Sequence, residues 1–291
     1  MSNKNKVQLP LFVDNTVLST GKNHVSFSEV QMHQECGWKH YLTHILKLSV
    51  FDGNQFTEFG NAIHGGIGTY LLNKQYFSYN HYETIENSCK DLTERFDRVK
   101  FEDEQKEWEG SLRKILTETP EWFNKVFPDW KIVGVEIKLF EKIDNKLNKF
   151  FKGYIDTVLV MPKPPRKGSK KTEPTEILYW ILDFKSCDYG WGAQKRRDPL
   201  KRLQLVLYKH YFCKKFNVDL KQVKCGFVLC KRNPGKNKES LELFEISVGE
   251  KTIENGLNIV DKTISLIEKK LYKKNRNSCT YCDFKNTKNC T

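Results

Sequence analysis

The second half of the chain carries the pattern of β-strands. Residues 133–140 alternate apolar and polar side chains, and residues 150–161 and 177–182 are rich in β-branched and aromatic residues, as strands are when they form part of a core. Two shorter runs, 223–230 and 241–248, have the same character. The pattern therefore predicts a sheet of five strands.

Helical periodicity marks several other parts of the chain. Apolar residues recur at steps of three and four over 26–45, 57–72 and 82–127, and Ser28 is a candidate N-cap for the first helix. Pro199 suits the first turn of a helix between the third and fourth strands. The clearest helix has its apolar stripe at Ile253, Leu257, Val260, Ile264, Ile267 and Leu271. Strands interleaved with helices predict an α/β protein.

The third strand ends in side chains that a buried strand rarely contains. Its apolar run gives way to Asp183 and, two residues later, to Lys185. Because side chains alternate between the faces of a strand, this acid and this amine lie on one face. Removing the pair from water is costly unless it is used or matched by a metal ion. The end of this strand is therefore a candidate site.

Two further acids lie on the preceding strands, where Glu136 and Asp156 stand among apolar neighbours. Divalent cations such as Mg²⁺ and Mn²⁺ prefer oxygen ligands, and acids on adjacent strands form a partial shell that leaves room for water and a phosphate oxygen. Lys185 could then orient or activate the attacking water. Glu136 has a structural alternative, because a strand glutamate paired with Lys138 or Lys152 would give the same pattern.

The order of these elements resembles the PD-(D/E)xK nuclease superfamily, in its RecB-like branch, over about residues 26–290. The matching motifs, in chain order, are Gly60-x-x-x-His64, a strand with Glu136, Gly153-Tyr154-Ile155-Asp156, Leu182-Asp183-Phe184-Lys185 and Gln204-x-x-x-Tyr208. The resemblance implies a restriction-endonuclease-like core, in which helices flank a mixed central sheet.

The resemblance also implies a role for each matching residue. His64, Asp156 and Asp183 are the expected ligands of Mg²⁺ or Mn²⁺, and the carbonyl of Phe184 is expected to complete the shell. Lys185 is the expected catalytic lysine. The remaining residues of the catalytic set are Glu136, Gln204 and Tyr208, of which the last two are expected to position the lysine and the DNA.

Four of the nine cysteines are placed as metal ligands, and they are Cys36, Cys279, Cys282 and Cys290. In a reducing compartment, clustered cysteines are better explained as metal ligands than as disulfides. The arrangement resembles the iron–sulfur staple of CRISPR-associated RecB-like exonucleases and AddB-type nuclease domains, which implies a [4Fe–4S] cluster. Zinc and unmetallated thiols are the alternatives, since thiolates bind both metals. Either metal would tie the first helix to the tail.

Lysine and arginine outnumber the acids by 49 to 36, which gives a net charge of +13. Such a balance is expected of a chain that binds phosphates, although charge alone fits good solubility equally well. We expect the cations that follow the site strand to contact DNA; they are Arg196, Arg197, Lys201 and Arg202. The first 22 residues lack the apolar run of a signal peptide or membrane span, which predicts a cytoplasmic protein without a membrane partner.

The chain is expected to fold as one unit with four parts: an arm at 1–25, a helical region at 26–130 carrying Cys36 and His64, a nuclease core at 131–275 and the cysteine cluster at 276–291. The leading interpretation is a metal-dependent DNA exonuclease that processes single-stranded ends in recombination, repair or phage replication. The alternatives are a non-catalytic nucleic-acid-binding module and the nuclease subunit of a helicase–nuclease complex. A helicase would be a partner, because the chain has no Walker-type loop. The sequence leaves the oligomeric state open.

Overall fold

The computed structural model describes residues 17–48, 53–144, 148–164, 176–280 and 282–290, so most of the predicted N-terminal arm lies outside the described residues. At the centre is a six-stranded mixed sheet. Its strands are β1 His24–Ser26, β2 Lys131–Lys142, β3 Phe150–Pro162, β4 Ile177–Cys187, β5 Val223–Lys231 and β6 Leu241–Ile246. The last five lie where the apolar pattern predicts strands.

Helices cover both faces of the sheet. They are α1 Phe27–Glu35, α2 Gly37–His40, α3 Gln55–Asn73, α4 His81–Arg98, α5 Gln105–Val126, α6 Ala193–Arg197, α7 Pro199–Phe216 and α8 Glu250–Glu268. Pro199 occupies the first turn of α7, and Asp198 caps this helix by accepting the N–H of Leu200 at 2.9 Å. None of the helices in the described ranges combines the length and the apolar character needed to cross a membrane.

The strand order places β4 inside the sheet. β2 pairs antiparallel with β3, β3 antiparallel with β4, β4 parallel with β5, and β5 antiparallel with β6. The short β1 runs parallel to the start of β3, where Phe151 pairs with Val25 on one side and with Glu141 of β2 on the other. β1 therefore shares the β4 edge of β3. The parallel β4–β5 pair requires a crossover, and α7 provides it.

The sheet separates two hydrophobic clusters. Side chains of α1, α7 and α8 pack on one face, around residues such as Ile181. Those of α3, α4 and α5 pack on the other face, around residues such as Leu182 and Phe184. Because consecutive residues of β4 alternate between the clusters, Asp183 belongs to the α7 face and Phe184 to the α3 face. The helix α1, predicted as part of a separate helical region, packs directly on α7 and α8.

The first helix differs from the prediction in two respects. Ser26 is its N-cap, accepting the N–H of Glu29 at 3.2 Å, so the assignment of Ser28 as the cap was wrong. The predicted continuous helix is interrupted at Cys36, whose extended backbone (φ −160°) ends α1 and begins α2. Cys36 caps the new helix, since its Sγ accepts the N–H of Lys39 at 3.5 Å. The following Gly37 lies against the tail, where a Cβ would stand 3.0 Å from the backbone nitrogen of Lys273.

Candidate active site

The end of β4 brings an acid and an amine into contact. Nζ of Lys185 lies 2.6 Å from Oδ2 of Asp183, in agreement with the alternation of side chains along a strand. The Asp183 side chain is only 1 % exposed, and its Oδ1 has no hydrogen-bond partner among the described residues. A buried carboxylate oxygen without a donor is unfavourable. This atom is therefore available to a ligand.

Asp156 and His64 approach the same region from β3 and α3. Oδ2 of Asp156 accepts the N–H of Phe184 at 2.8 Å and lies 3.4 Å from Nδ1 of His64. Nε2–H of His64 donates to the carbonyl oxygen of Phe184 at 3.0 Å. These bonds fix α3 to the backbone of β4. They also bring the predicted histidine, aspartate and carbonyl ligands together.

Glu136 reaches the site through a distortion of β2. Its φ of 51° is left-handed, which costs a residue other than glycine about 1–2 kcal/mol. β2 and β3 pair on either side of Glu136 and Asp156, but these two residues are not themselves paired. One donor atom each of Glu136, Asp156 and His64 lie within 4.8 Å of one another. The alternative of an ion pair with Lys138 or Lys152 does not occur in the described part of the chain.

Two carboxylates of the site have a raised pKa. Burial, and then the negative charge of Asp183, raise the pKa of Asp156 well above its ordinary value and also raise the pKa of Glu136. Burial by itself lowers the pKa of Lys185, but attraction to Asp183 and Asp156 outweighs this effect and leaves the pKa raised. Burial lowers the pKa of His64 despite the opposing effect of Asp183. Three acids thus share one ammonium group and a neutral imidazole.

The donors present fit a hard divalent cation. Carboxylate oxygens, a backbone carbonyl and an imidazole nitrogen are groups that Mg²⁺ or Mn²⁺ accepts in proteins. Oδ1 of Asp183 has no donor among the described residues, and burial together with the charge of Asp183 raises the pKa of Asp156, so the single ammonium group of Lys185 leaves room for a further counterion. A cation held by Asp156, Asp183, His64 and the Phe184 carbonyl would supply that counterion.

The predicted Gln-x-x-x-Tyr pair lies on α7, beside the two aspartates. Nε2 of Gln204 donates to Oη of Tyr208 at 3.3 Å. Burial raises the pKa of Tyr208 against the effect of this hydrogen bond, and the charges of Asp183 and Asp156 add to the rise. The ring packs on Gly153, where a Cβ would stand 2.7 Å from Cε1 of Tyr208. The glycine of the β3 motif therefore makes room for the tyrosine, a role that the motif alone did not reveal.

The four cations predicted to contact DNA differ in their surroundings. Arg196 donates to a backbone carbonyl and forms an ion pair with an acid of β6. Nζ of Lys201 lies 3.9 Å from the carboxylate of Glu35. Arg197 is exposed and Arg202 half-buried, and neither has an acidic partner within the described ranges. Arg196 thus anchors α6 to the sheet, whereas Arg197 and Arg202 stay available to a ligand.

The predicted cysteine ligands line one cavity. They are Cys36, Cys279, Cys282 and Cys290. The cavity has a volume of about 290 Å³ and lies between α2 and the C-terminal segment. Trp38 connects the two, because its Nε1 donates to the carbonyl oxygen of Asn289 at 2.9 Å. Among the described residues, His64, Glu136 and Asp156 are the one set of three metal-ligating side chains whose donor atoms all lie within 4.8 Å of one another. No three of the four cysteine sulfur atoms are as close to one another as that.

The fold and the site together define the class of protein. Two aspartates and a lysine meet at the centre of a mixed sheet, and a histidine from a packed helix lies beside them. The sequence matches the model of the PD-(D/E)XK nuclease superfamily over residues 24–287, and the chain belongs to this family. The predicted α/β fold and superfamily are thereby confirmed.

One solved structure has a similar fold. It is a crystal structure from Eubacterium rectale described as a "putative exonuclease", and the similarity has a TM-score of 0.50, with 11 % sequence identity, over 94 % of this chain and 90 % of that one. At such low identity the similarity concerns the fold alone. A search among curated proteins finds no match.

Proposed function

We propose that the protein is a metal-dependent DNA exonuclease. The observation that carries the proposal is the convergence of the Asp156 and Asp183 carboxylates, the Lys185 ammonium group and the His64 ring. A module that only binds nucleic acid has no need for a buried carboxylate oxygen without a donor, because that oxygen costs folding free energy. The resemblance of the motif order to RecB-like nucleases favours an exonuclease within the superfamily.

The protein groups have distinct proposed roles. Asp156, Asp183, His64 and the carbonyl of Phe184 would hold Mg²⁺ or Mn²⁺. Such a cation, when bound, polarises a phosphoryl oxygen and acidifies water. Lys185 keeps its ammonium charge because its pKa is raised, and it can donate hydrogen bonds to the attacking water or to a phosphate oxygen.

Three further residues complete the proposed catalytic set. The exposed Glu136 carboxylate has a raised pKa, which suits it to accept a proton at its oxygen. Gln204 and Tyr208 are joined by a hydrogen bond. They pack beside the aspartates and would hold the substrate and Lys185 in position.

The cysteine cavity is proposed to hold a [4Fe–4S] cluster. The four cysteines line one cavity, and their arrangement resembles the iron–sulfur staple of RecB-like nucleases, which supports the cluster. Zinc bound by the same thiolates is the alternative. Protein purified without oxygen should be brown, with a broad absorption band at roughly 400 nm. A colourless protein that contains zinc would show that the cysteines bind zinc and not an iron–sulfur cluster.

End processing in recombination, repair or phage replication is the proposed setting. This chain has no Walker-type nucleotide-binding loop, so a helicase partner is proposed to supply any strand separation that is needed.

Nuclease assays with Mn²⁺ test the proposed activity. Wild-type protein should release short products from linear DNA and leave circular single strands intact. Lys185→Ala should lose at least about 100-fold of the rate, the usual contribution of one preorganised hydrogen-bond donor to charge that develops in the transition state. Lys90→Ala, on the exposed side of α4, is the control and should retain full activity. Equal cleavage by wild type and Lys185→Ala would remove the proposed mechanism, and rapid cutting of circles would remove the exonuclease assignment.

A further inference from the structure

A series of lysines extends away from the catalytic lysine. The first member is Lys195 on α6, whose pKa is lowered chiefly by burial and further by the ammonium groups of Lys201 and Lys185. Lys195 lies six residues before Lys201, where α6 packs against α7, and both Lys201 and Lys185 belong to its surroundings. Nζ of Lys195 lies 4.8 Å from the centroid of the Trp191 ring, but it has no acidic partner among the described residues.

The series continues from Lys201 across the end of α1. Nζ of Lys201 lies 3.9 Å from the carboxylate of Glu35, and Glu35 lines a cavity of about 340 Å³. The same cavity is lined by Lys262 of α8 and by Lys273 and Lys274, which follow that helix. All three lysines are exposed, and none pairs with an acid in the part of the chain that the structure describes.

The far end of the series meets the cysteine cavity. Lys274 lines both this cavity and the one at Glu35, and its Nζ lies 5.3 Å from the centroid of the Trp38 ring. Trp38 and Lys285 also line the cysteine cavity. We use the name lysine track for Lys195, Lys201, Lys262, Lys273 and Lys274. The track therefore connects the surroundings of Lys185 with those of the four cysteines.

The lysine track has too little negative charge to balance it. Its five ammonium groups are opposed within 4 Å only by Glu35, among the residues that the structure describes. Positive charges arranged in this way attract a polyanion, and a nucleic-acid backbone provides phosphates at regular intervals. A single strand can follow such a positively charged surface by its backbone alone. The Trp38 ring at the end of the track is stacked on Tyr41, with centroids 5.0 Å apart, so the track acts through charge.

We propose that the lysine track binds one DNA strand along a path from Lys185, past α6 and the start of α7, to the cavity lined by the four cysteines. The proposal rests on the proposed nuclease function. It adds the path of the substrate on the protein surface and its single-stranded character.

A charge-matched pair of variants tests the track. The track variant replaces Lys195, Lys262, Lys273 and Lys274 by glutamine. The control variant replaces four exposed lysines near α4, α5 and the β5–β6 turn, and these are Lys90, Lys106, Lys236 and Lys238. Both variants lose the same charge, so a difference between them reports position and not net charge.

Binding of a labelled single strand, measured by fluorescence anisotropy with Ca²⁺ in place of Mg²⁺, is the main readout. The track variant should bind at least about tenfold more weakly than wild type. The slope of log K against log salt concentration should become shallower by about 3, because each lost phosphate contact on a single strand contributes about 0.7. The control variant should match wild type in both quantities. The oligomer should be longer than roughly 16 nucleotides, the upper end of the site sizes of single-strand-binding OB folds.

Hydrolysis of bis(p-nitrophenyl) phosphate with Mn²⁺ separates the track from the active site, and it is measured on a variant that replaces only Lys262, Lys273 and Lys274, because Lys195 lies near Lys185. This three-lysine variant should hydrolyse the small ester at the wild-type rate but bind single strands more weakly than wild type. Equal weakening in the track and control variants, an unchanged salt slope, or tighter binding of blunt duplex than of single strand would overturn the proposal. Wild-type protein that hydrolyses neither the ester nor DNA would instead remove the proposed nuclease function.

Discussion

Gly153 allows a sharp test of how the candidate active site is packed. A methyl group at this position would stand 2.7 Å from Cε1 of Tyr208, whereas ordinary contact begins at 3.4 Å, so the ring must move by roughly 0.7 Å. The Tyr208 side chain is buried. The neighbouring Phe151 ring is stacked on Tyr211 with centroids 4.5 Å apart. Because a packed core of this kind has little free volume, neither neighbour can move away without cost.

We expect Gly153→Ala to lower the free energy of unfolding by about 1–3 kcal/mol, the range for overpacking a filled core. Urea unfolding measures this change. The displaced Tyr208 ring also carries the hydroxyl that accepts from Gln204, so the rate at saturating substrate should fall even where the variant remains fully folded.

The Tyr208→Ala background provides the control. Without the Tyr208 ring the remaining tight contact of the new methyl group is with Phe151 at 3.2 Å, so most of the cost of Gly153→Ala should disappear. The coupling between the two substitutions should therefore be about 1–3 kcal/mol. A Gly153→Ala protein as stable as wild type, or an equal cost in both backgrounds, would refute this reasoning.

Three further predictions concern Glu136, Asp156 and Cys36. Glu136→Gly removes the strain of the left-handed backbone, whereas Glu136→Gln retains it. In urea unfolding with EDTA, the glycine variant should therefore have a free energy of unfolding about 1 kcal/mol higher than the glutamine variant. Equal stability of the two variants would contradict the proposed strain. Burial and Asp183 raise the pKa of Asp156, so the folded protein in EDTA holds a proton that the unfolded chain releases above about pH 3.9. Its stability should fall as pH rises toward the folded pKa, whereas Asp156→Asn should lack this slope; parallel slopes would count against the raised pKa. Cys36→Ser should lose the tail metal and become more sensitive to proteolysis, whereas Cys187→Ser should keep its metal, and full metal content in Cys36→Ser would exclude Cys36 as a ligand.

The strands and the central contact of the site could be predicted because both depend on local pattern. Long apolar runs mark β3, β4 and β5, and alternation along a strand suffices to place Asp183 beside Lys185. The convergence of His64 with Asp156 is different, since it joins α3 to β3 across the fold. Periodicity within one segment carries no information about contacts between distant segments. Only the order of the motifs implied that His64 and Asp156 meet.

Other features depend on contacts that no local pattern reports. Glutamate has no preference for left-handed backbone, so the conformation of Glu136 has no signal in the sequence. The break at Cys36 arises where Gly37 meets Lys273 of the tail. Arg196 and Lys195 are adjacent cations of the same helix, yet only Arg196 meets an acid of β6. The fold therefore decides which of the two cations is left without an acidic partner among the described residues.

Crystals soaked in Mn²⁺ offer the most direct test of the metal site. Anomalous scattering should locate an ion bound to carboxylate oxygens of Asp156 and Asp183 at about 2.0–2.6 Å, with His64 and the Phe184 carbonyl beside it. An ion bound elsewhere and touching neither aspartate, or no anomalous peak in this region of a saturated crystal, would contradict the assignment of these residues as a metal-dependent nuclease centre.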